Sequence, residues 1–179
     1  MAEPTFRERL FSSVTRATPE QEAAEFTEND RRYGETKFGE DSPTGQPLVF
    51  INERKMQEEG ATGAYIEKLL QGEAIHNLKN VDPDRYKALQ DAAFSSHEYL
   101  KWANESYERA RAEGEKRSFR DWHNVSRFDQ VIGGFLQAQD PDIPTMANWS
   151  REKLPFGEPL RQELERLAAD LELPSYETK

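Results

Sequence analysis

The chain of 179 residues contains no cysteine. Disulfides, cysteine-ligated zinc, iron–sulfur clusters and thiol catalysis are therefore excluded. Histidine is scarce too. His76, His97 and His123 are the whole set, and none stands four residues from another, so the paired-histidine helix that grips zinc is absent. In His97-Glu98-Tyr99-Leu100-Lys101 a lysine occupies the place of the second histidine. Gly-x-Ser-x-Gly, P-loop and Gly-x-Gly-x-x-Gly patterns are missing, which removes the nucleophile elbow and the familiar nucleotide cradles. Neither a cofactor nor a metal is predicted.

No apolar run approaches the roughly 18 residues of a membrane span. The N-terminus Met1-Ala2-Glu3-Pro4 lacks a basic segment followed by an apolar one. The expectation is a soluble chain of virion or cytoplasm, without membrane insertion. With 24 Lys and Arg against 34 Asp and Glu, the net charge of −10 argues against broad nucleic-acid binding, which draws on clustered cations. Leu, Ile, Val and Phe make up about a fifth of the residues, a share at which order begins to depend on a partner. No repeat of 20 to 50 residues is present, so solenoids and propellers are not expected.

What the chain does contain is helix signals. Asp82-Pro83-Asp84 supplies a capping residue, a proline suited to the first helical position and an acid facing the positive end of the dipole. From there Tyr86, Leu89, Ala93, Ser96, Leu100, Ala103, Tyr107 and Ala110 recur at steps of three and four, with Ser96 the one polar break. This predicts one rod over about 82–113, roughly 48 Å long at 1.5 Å per residue, ending near Gly114. A second rod is predicted over 118–137. It starts at Ser118 and Asp121 and carries Phe119, Trp122, Val125, Phe128, Ile132 and Phe135 down one face. The short connection makes the two a helical hairpin.

Residues 1–45 read as an N-terminal arm, and 46–179 as a helical domain. In the arm, Thr5 with Glu8 and Thr18 with Gln21 have capping-box spacing, and Phe6, Leu10, Phe11 and Val14 form a short sticky face. Residues 34–46 read as an extended connector. Pro47-Leu48-Val49-Phe50-Ile51 is the only β-like run, at most one short strand. Short helices with glycine joints at Gly60, Gly63 and Gly72 follow it. Near the C-terminus Leu160, Leu164, Leu167 and Leu171 make a leucine face that needs a groove. The fold class expected is mainly α.

Candidate chemistry is thin. Glu73, flanked by Gly72 and Ala74 and near Ile75 and His76, is the candidate acid, with Asp82 or Asp84 as its companion carboxylate and His76 as a further catalytic candidate; a glycosidase needs two carboxylates at a fixed separation. The plainer reading is a solvated Glu at a helix start. Lys116, Arg117, Arg120 and Arg127 gather positive charge near Trp122 and His123, a candidate seat for phosphate or an acidic partner. Glu113, Glu115 and Asp121 stand among them, and internal ion pairing competes. His97 is expected partly buried.

The function expected is a non-catalytic structural or adaptor subunit of a larger protein assembly, a phage virion in particular. It would dock through the arm, with Phe6, Leu10, Phe11, Val14, Phe26, Trp102 and Trp149 as contact residues and Tyr99 exposed beside them. The alternatives are a carboxylate enzyme acting on a glycan and an acidic inhibitor of a DNA-binding protein.

Overall fold

Thr5 and Thr18 each start a helix in the way their spacing predicts. The computed structural model describes residues 2–60, 63–137 and 157–172, and the protein is mostly helical with a small three-stranded sheet. In α1 (Phe6–Ser12) the Thr5 hydroxyl accepts the Glu8 N–H at 3.1 Å, and the Glu8 carboxylate accepts the Thr5 N–H at 2.9 Å. Gln21 and Thr18 exchange the same pair of bonds at the head of α2 (Pro19–Glu25). Each box ties down two backbone donors that a helix start otherwise leaves open.

The chain divides into two compact units, Met1–Val81 and Asp82–Lys179, not at the 45/46 position expected. In the first unit, β1 (Thr15–Arg16) lies parallel to β3 (Leu48–Ile51), and β2 (Gly34–Lys37) lies antiparallel on its other side. This corrects the expectation of a single strand. Two of the three strands come from residues read as arm and connector. They are short, polar edge strands, and neither shows the apolar alternation that marks a strand in sequence.

β3 reads as a solid apolar run because helical segments cover both of its faces. Leu48 and Phe50 pack with Ala17 and Phe26, on the side of α2. Val49 and Ile51 point the other way, to Met56, Ile66 and Leu69 of α3 (Glu53–Glu58) and α4 (Gly63–Ala74). Asn52 caps α3, and Gly60 follows its end with φ +82°, a conformation that a Cβ would disfavour. α4 runs through Gly72, where the sequence suggests a joint; a 3₁₀ turn over Ile75–Asn77 and α5 (Leu78–Val81) follow.

The second unit opens as predicted, with Asp82 accepting the Arg85 N–H at 3.1 Å and Pro83 at the first helical position. The rod expected over 82–113 is broken, however, into α6 (Pro83–Phe94) and α7 (His97–Ala112). The cause lies at Ser95 and Ser96. Their hydroxyls bond to the carbonyls of Asp91 and Ala92 at 2.7 and 2.9 Å, the local competition that ends helices at serine. The break re-phases the buried seam. Tyr86, Leu89 and Ala93 are inside as expected, but beyond Ser96 the buried positions are Tyr99, Ala103 and Ser106 rather than Leu100, Ala103 and Tyr107.

The second rod is helical throughout, but not all of it is α. Between α8 (Phe119–Trp122) and α9 (Phe128–Gln137) lies a π-helical turn, His123–Arg127. The wider turn leaves one member of the apolar stripe outside. Val125 is 63% exposed, while Trp122, His123, Phe128, Val131, Ile132 and Phe135 are buried. α10 (Glu158–Asp170) lays Leu160, Leu164, Leu167 and Leu171 against α6 and α9, so the leucine face finds its groove within its own unit.

Candidate functional site

Glu73 and His76 meet on α4 and the turn that follows it. Glu73 Oε2 lies 3.6 Å from His76 Nε2, and both side chains are partly buried, at 13% and 31% exposure. Helical spacing of three brings them together. A third group comes from β2, where the Thr36 hydroxyl donates to Glu73 Oε2 at 2.8 Å. Gly34 completes the contact, since a Cβ there would sit 3.3 Å from both Glu73 Oε1 and the Phe50 carbonyl. The carboxylate thus ties α4 to the sheet edge. Asp82 and Asp84 belong to the other unit, where Asp82 caps α6.

The residues proposed for partner contact divide in two. Leu10 and Phe26 are buried in their own unit, which corrects their assignment as contact residues. Val14 is half-buried against the Val49–Ile51 cluster. Phe6 and Phe11 remain half-exposed on α1, with the Arg9 guanidinium 5.8 Å from the Phe6 ring centre and that of Arg7 5.1 Å from Phe11. Trp102 is half-buried, its ring 5.7 Å from Tyr99. Tyr99, expected exposed, is wholly buried, and His97, expected partly buried, is exposed. Both reversals follow from the re-phasing at Ser96. Trp149 lies outside the described residues.

The positive cluster is partly spent internally. Arg117 forms a fork on Glu115, with Nε and Nη2 at 2.9 and 2.8 Å, and that hydrogen-bonded guanidinium holds the Glu115 carboxyl down at about 2. Arg127 covers the Trp122 ring at 5.3 Å and donates to Gln130. Lys116 and Arg120 are exposed.

The arrangement that sequence reading missed surrounds His123, which is wholly buried in the π turn. Phe119 and Phe128 stack on its ring at 5.6 and 5.0 Å, Phe94 tilts over it at 5.3 Å, and Tyr99 meets it edge-on at 5.7 Å. Nε2 lies 2.6 Å from the Tyr99 hydroxyl, and Nδ1 lies 2.7 Å from Asn124 Oδ1. The amide oxygen only accepts, so Nδ1 carries the proton and Nε2 accepts from Tyr99. Burial pushes the His123 pKa below its ordinary value and the Tyr99 pKa well above its own. Below this group, Tyr86 donates to Asp129 Oδ1 at 3.0 Å, both side chains buried. His123 follows Phe119 by four residues, and that helical spacing, which sets both on one side, is the signal that could have found it.

A groove of about 230 Å³ opens in the first unit between α2 and the β3–α3 joint, lined by Pro19, Ala23, Phe26, Ile51, Glu53 and Arg54 among others. The polar groups at its floor are engaged. Glu22 holds Arg16 and the Ile51 N–H, and Asn52 caps Lys55 and donates to the Arg32 carbonyl.

No protein-family model matches the chain, and comparison with curated proteins and with solved structures finds no significant match.

Proposed function

We propose that this protein is a non-catalytic structural or adaptor subunit of a larger protein assembly, docking through its N-terminal segment with α1 as the contact element. The observation that carries the reading is on α1, where Phe6 and Phe11 stay half-exposed beside arginines, to either side of Leu10, which enters the core. A two-turn helix anchored by one leucine and offering two aromatic rings and two guanidinium groups is suited to a partner surface, because aromatic side chains and Arg supply most binding hot spots. Arg7 and Arg9 favour an acidic rim on that partner. A phage virion is the specific setting we favour, by analogy with the small cysteine-free subunits of such particles.

The test uses the full chain. Removing residues 2–45 would strip β3 of both strand neighbours and take Leu10, Ala17 and Phe26 from the core, so truncation reports folding rather than docking. The double substitution F6S/F11S leaves that core in place. Affinity purification from the producing cells, with circular dichroism as the folding control, is expected to recover a stoichiometric companion with the wild-type chain and to lose it with the variant. Equal recovery by a folded F6S/F11S chain would reject docking through α1.

A second reading, a carboxylate enzyme acting on a glycan, is favoured by the 3.6 Å approach of Glu73 to His76. It requires glycan cleavage by the wild-type chain and none by E73Q.

A further inference from the structure

We propose that the outer edge of β2 is a docking strip for an extended basic segment of a partner protein, which joins the three-stranded sheet as a further strand and sets a Lys or Arg against Glu25 and Glu35. The strip is separate from α1 and stands without the adaptor reading.

The register fixes which backbone groups face outward. Continuing the Gly34–Ile51 pairing by one step sets Tyr33 opposite Asn52, and the Asn52 N–H reaches the Tyr33 carbonyl at 2.8 Å. Hydrogen-bonded positions alternate in an antiparallel ladder. Tyr33, Glu35 and Lys37 therefore turn their N–H and C=O groups to β3, and Gly34 and Thr36 turn theirs away from it. β3 obeys the same alternation, since the Val49 carbonyl and the Ile51 N–H serve its other side, toward Ala17 and Glu22. The sheet order is β1-β3-β2, so among the described residues no strand lies beyond β2.

The strip has defined ends. At one, the Arg32 N–H is taken by Asp30 Oδ1 at 3.0 Å and the Arg32 carbonyl accepts from Asn52 Nδ2 at 2.9 Å. At the other, the Phe38 carbonyl accepts the Asp41 N–H at 3.1 Å. Between them the residues of β2 are all partly exposed, and the outward groups of Gly34 and Thr36 bond to no described residue. On the far side of β3 the Ile51 N–H is closed by the Glu22 carboxylate. β2 has no such plug.

Charge decides which strand fits. Glu35 and Lys37 project from the face of β2 that adjoins Phe50, with Lys37 Nζ 5.4 Å from that ring. Glu25, at the end of α2, reaches the same face and lies 2.7 Å from Lys37 Nζ. Arg32 Nη1 approaches Glu35 at 2.7 Å and Glu25 at 3.5 Å, but its Nε and Nη2 are committed to Asp30. Three carboxylates thus share two cations. Glu35 bears the shortfall, because burial and a hydrogen bond with Glu25 hold its pKa above the ordinary value. A cation beside it relieves that. On the opposite face the Glu73 carboxylate stands against Gly34 and Thr36 and adds negative charge to the same edge. A second copy of the chain would bring the same excess, and at −10 overall the copies repel, which favours a basic strand over self-pairing. In strand addition the main-chain bonds supply affinity and the flanking side chains supply specificity.

The experiment titrates the isotope-labelled full chain with three end-blocked peptides, read by NMR. The first is Thr-Lys-Thr-Lys-Thr-Lys-Thr, the second has Glu for each Lys, and the third is Thr-Lys-Pro-Pro-Lys-Lys-Thr, which keeps the charge but lacks two neighbouring donors. The expected result is binding of the first alone, with the Gly34 and Thr36 amide protons shifted and slowed in exchange by about tenfold or more. Glu35→Gln should weaken that binding by about threefold, the scale of one part-exposed ion pair, while Glu3→Gln, which removes the same charge at an exposed site, leaves it unchanged. Circular dichroism confirms that both variants fold, and the peptide series decides the matter if E35Q does not. Equal binding of the proline peptide would mean attraction without strand addition, and equal binding of the Glu peptide would mean addition without charge; either overturns the proposal. So does a chain that binds none of the three, a set of shifts that leaves Gly34 and Thr36 untouched, or a folded E35Q chain that binds no worse than E3Q. Protection of Gly34 and Thr36 that grows with the concentration of the chain alone would give the edge to a second copy and overturn it likewise.

Discussion

Glu22 Oε2 accepts the backbone N–H of Ile51 at 2.6 Å. β1 ends at Arg16, paired with Val49, and the Ala17 N–H reaches the Val49 carbonyl at 2.9 Å; there Thr18 and Pro19 turn the chain into α2. Ile51 is the next donor along that edge of β3, and the carboxylate from α2 stands where a longer strand would have been. Arg16 binds the same carboxylate through Nε and Nη2 at 3.2 and 2.9 Å and reaches Glu53 at 2.7 Å. The substitution Glu22→Ala leaves the buried Ile51 N–H open and is expected to lower stability by about 2–3 kcal/mol. Glu22→Gln, which keeps an acceptor, should cost less. Urea denaturation of the three chains measures both, and an unchanged midpoint for E22A would contradict this account.

Gly157 touches the joint between α6 and α7. A Cβ built there lies 2.9 Å from Ser96 Cβ and 2.7 Å from Glu98 Oε2. Its φ of −66° is open to any residue, so the constraint is space and not backbone conformation. Gly157→Ala is expected to cost about 1–3 kcal/mol through overpacking. Thermal unfolding followed by circular dichroism should show the loss, and a variant as stable as the wild type would mean that α10 can shift freely.

Tyr86 and Asp129 form a hydrogen bond inside the second unit, and Tyr86 also meets Phe128 edge-on at 5.7 Å. Tyr86→Phe keeps the ring contact and removes the hydroxyl. The expected loss is about 1.5–3 kcal/mol, the range for a hydrogen bond to a charged group. A change under about 0.5 kcal/mol would place Asp129 in a wetter site than its burial implies.

High pH should destabilise the same unit. Burial, first of all, pushes the pKa values of Tyr86 and Tyr99 far above the ordinary 10. Folded pKa values above the unfolded ones give a contribution that is complete below about 10 and shrinks as pH rises past it. Of the six tyrosines, two should therefore form phenolate only as the unit unfolds. Ultraviolet titration beside circular dichroism checks this, and six phenolates on a folded chain would refute it.

Legibility was highest where an effect is local. Thr5 with Glu8, Thr18 with Gln21, Asp82 before Pro83 and Ser118 before Asp121 all cap the helices that their spacing indicates. The leucine stripe of α10 was likewise readable, because a regular helix repeats its buried positions. Glu73 and His76 lie three residues apart, a helical spacing, whereas Thr36, which bonds to the same carboxylate, comes from a strand too short and polar to announce itself.

Local order, then, was written into the residues themselves: caps, helix starts, the glycine stops at Gly60 and Gly114, and the mostly helical class. Tertiary structure decided the rest. Whether Thr15-Arg16 and Gly34–Lys37 are strands depends on β3 lying between them, a pairing across dozens of residues that no local propensity encodes. Whether Tyr99 is inside and Val125 outside depends on one serine joint and one extra residue in a π turn. Each changes which of the neighbouring side chains turn inward, Tyr99 in place of Leu100 and Val125 left outside, while Ala103, Phe128, Ile132 and Phe135 keep the buried places their spacing indicates.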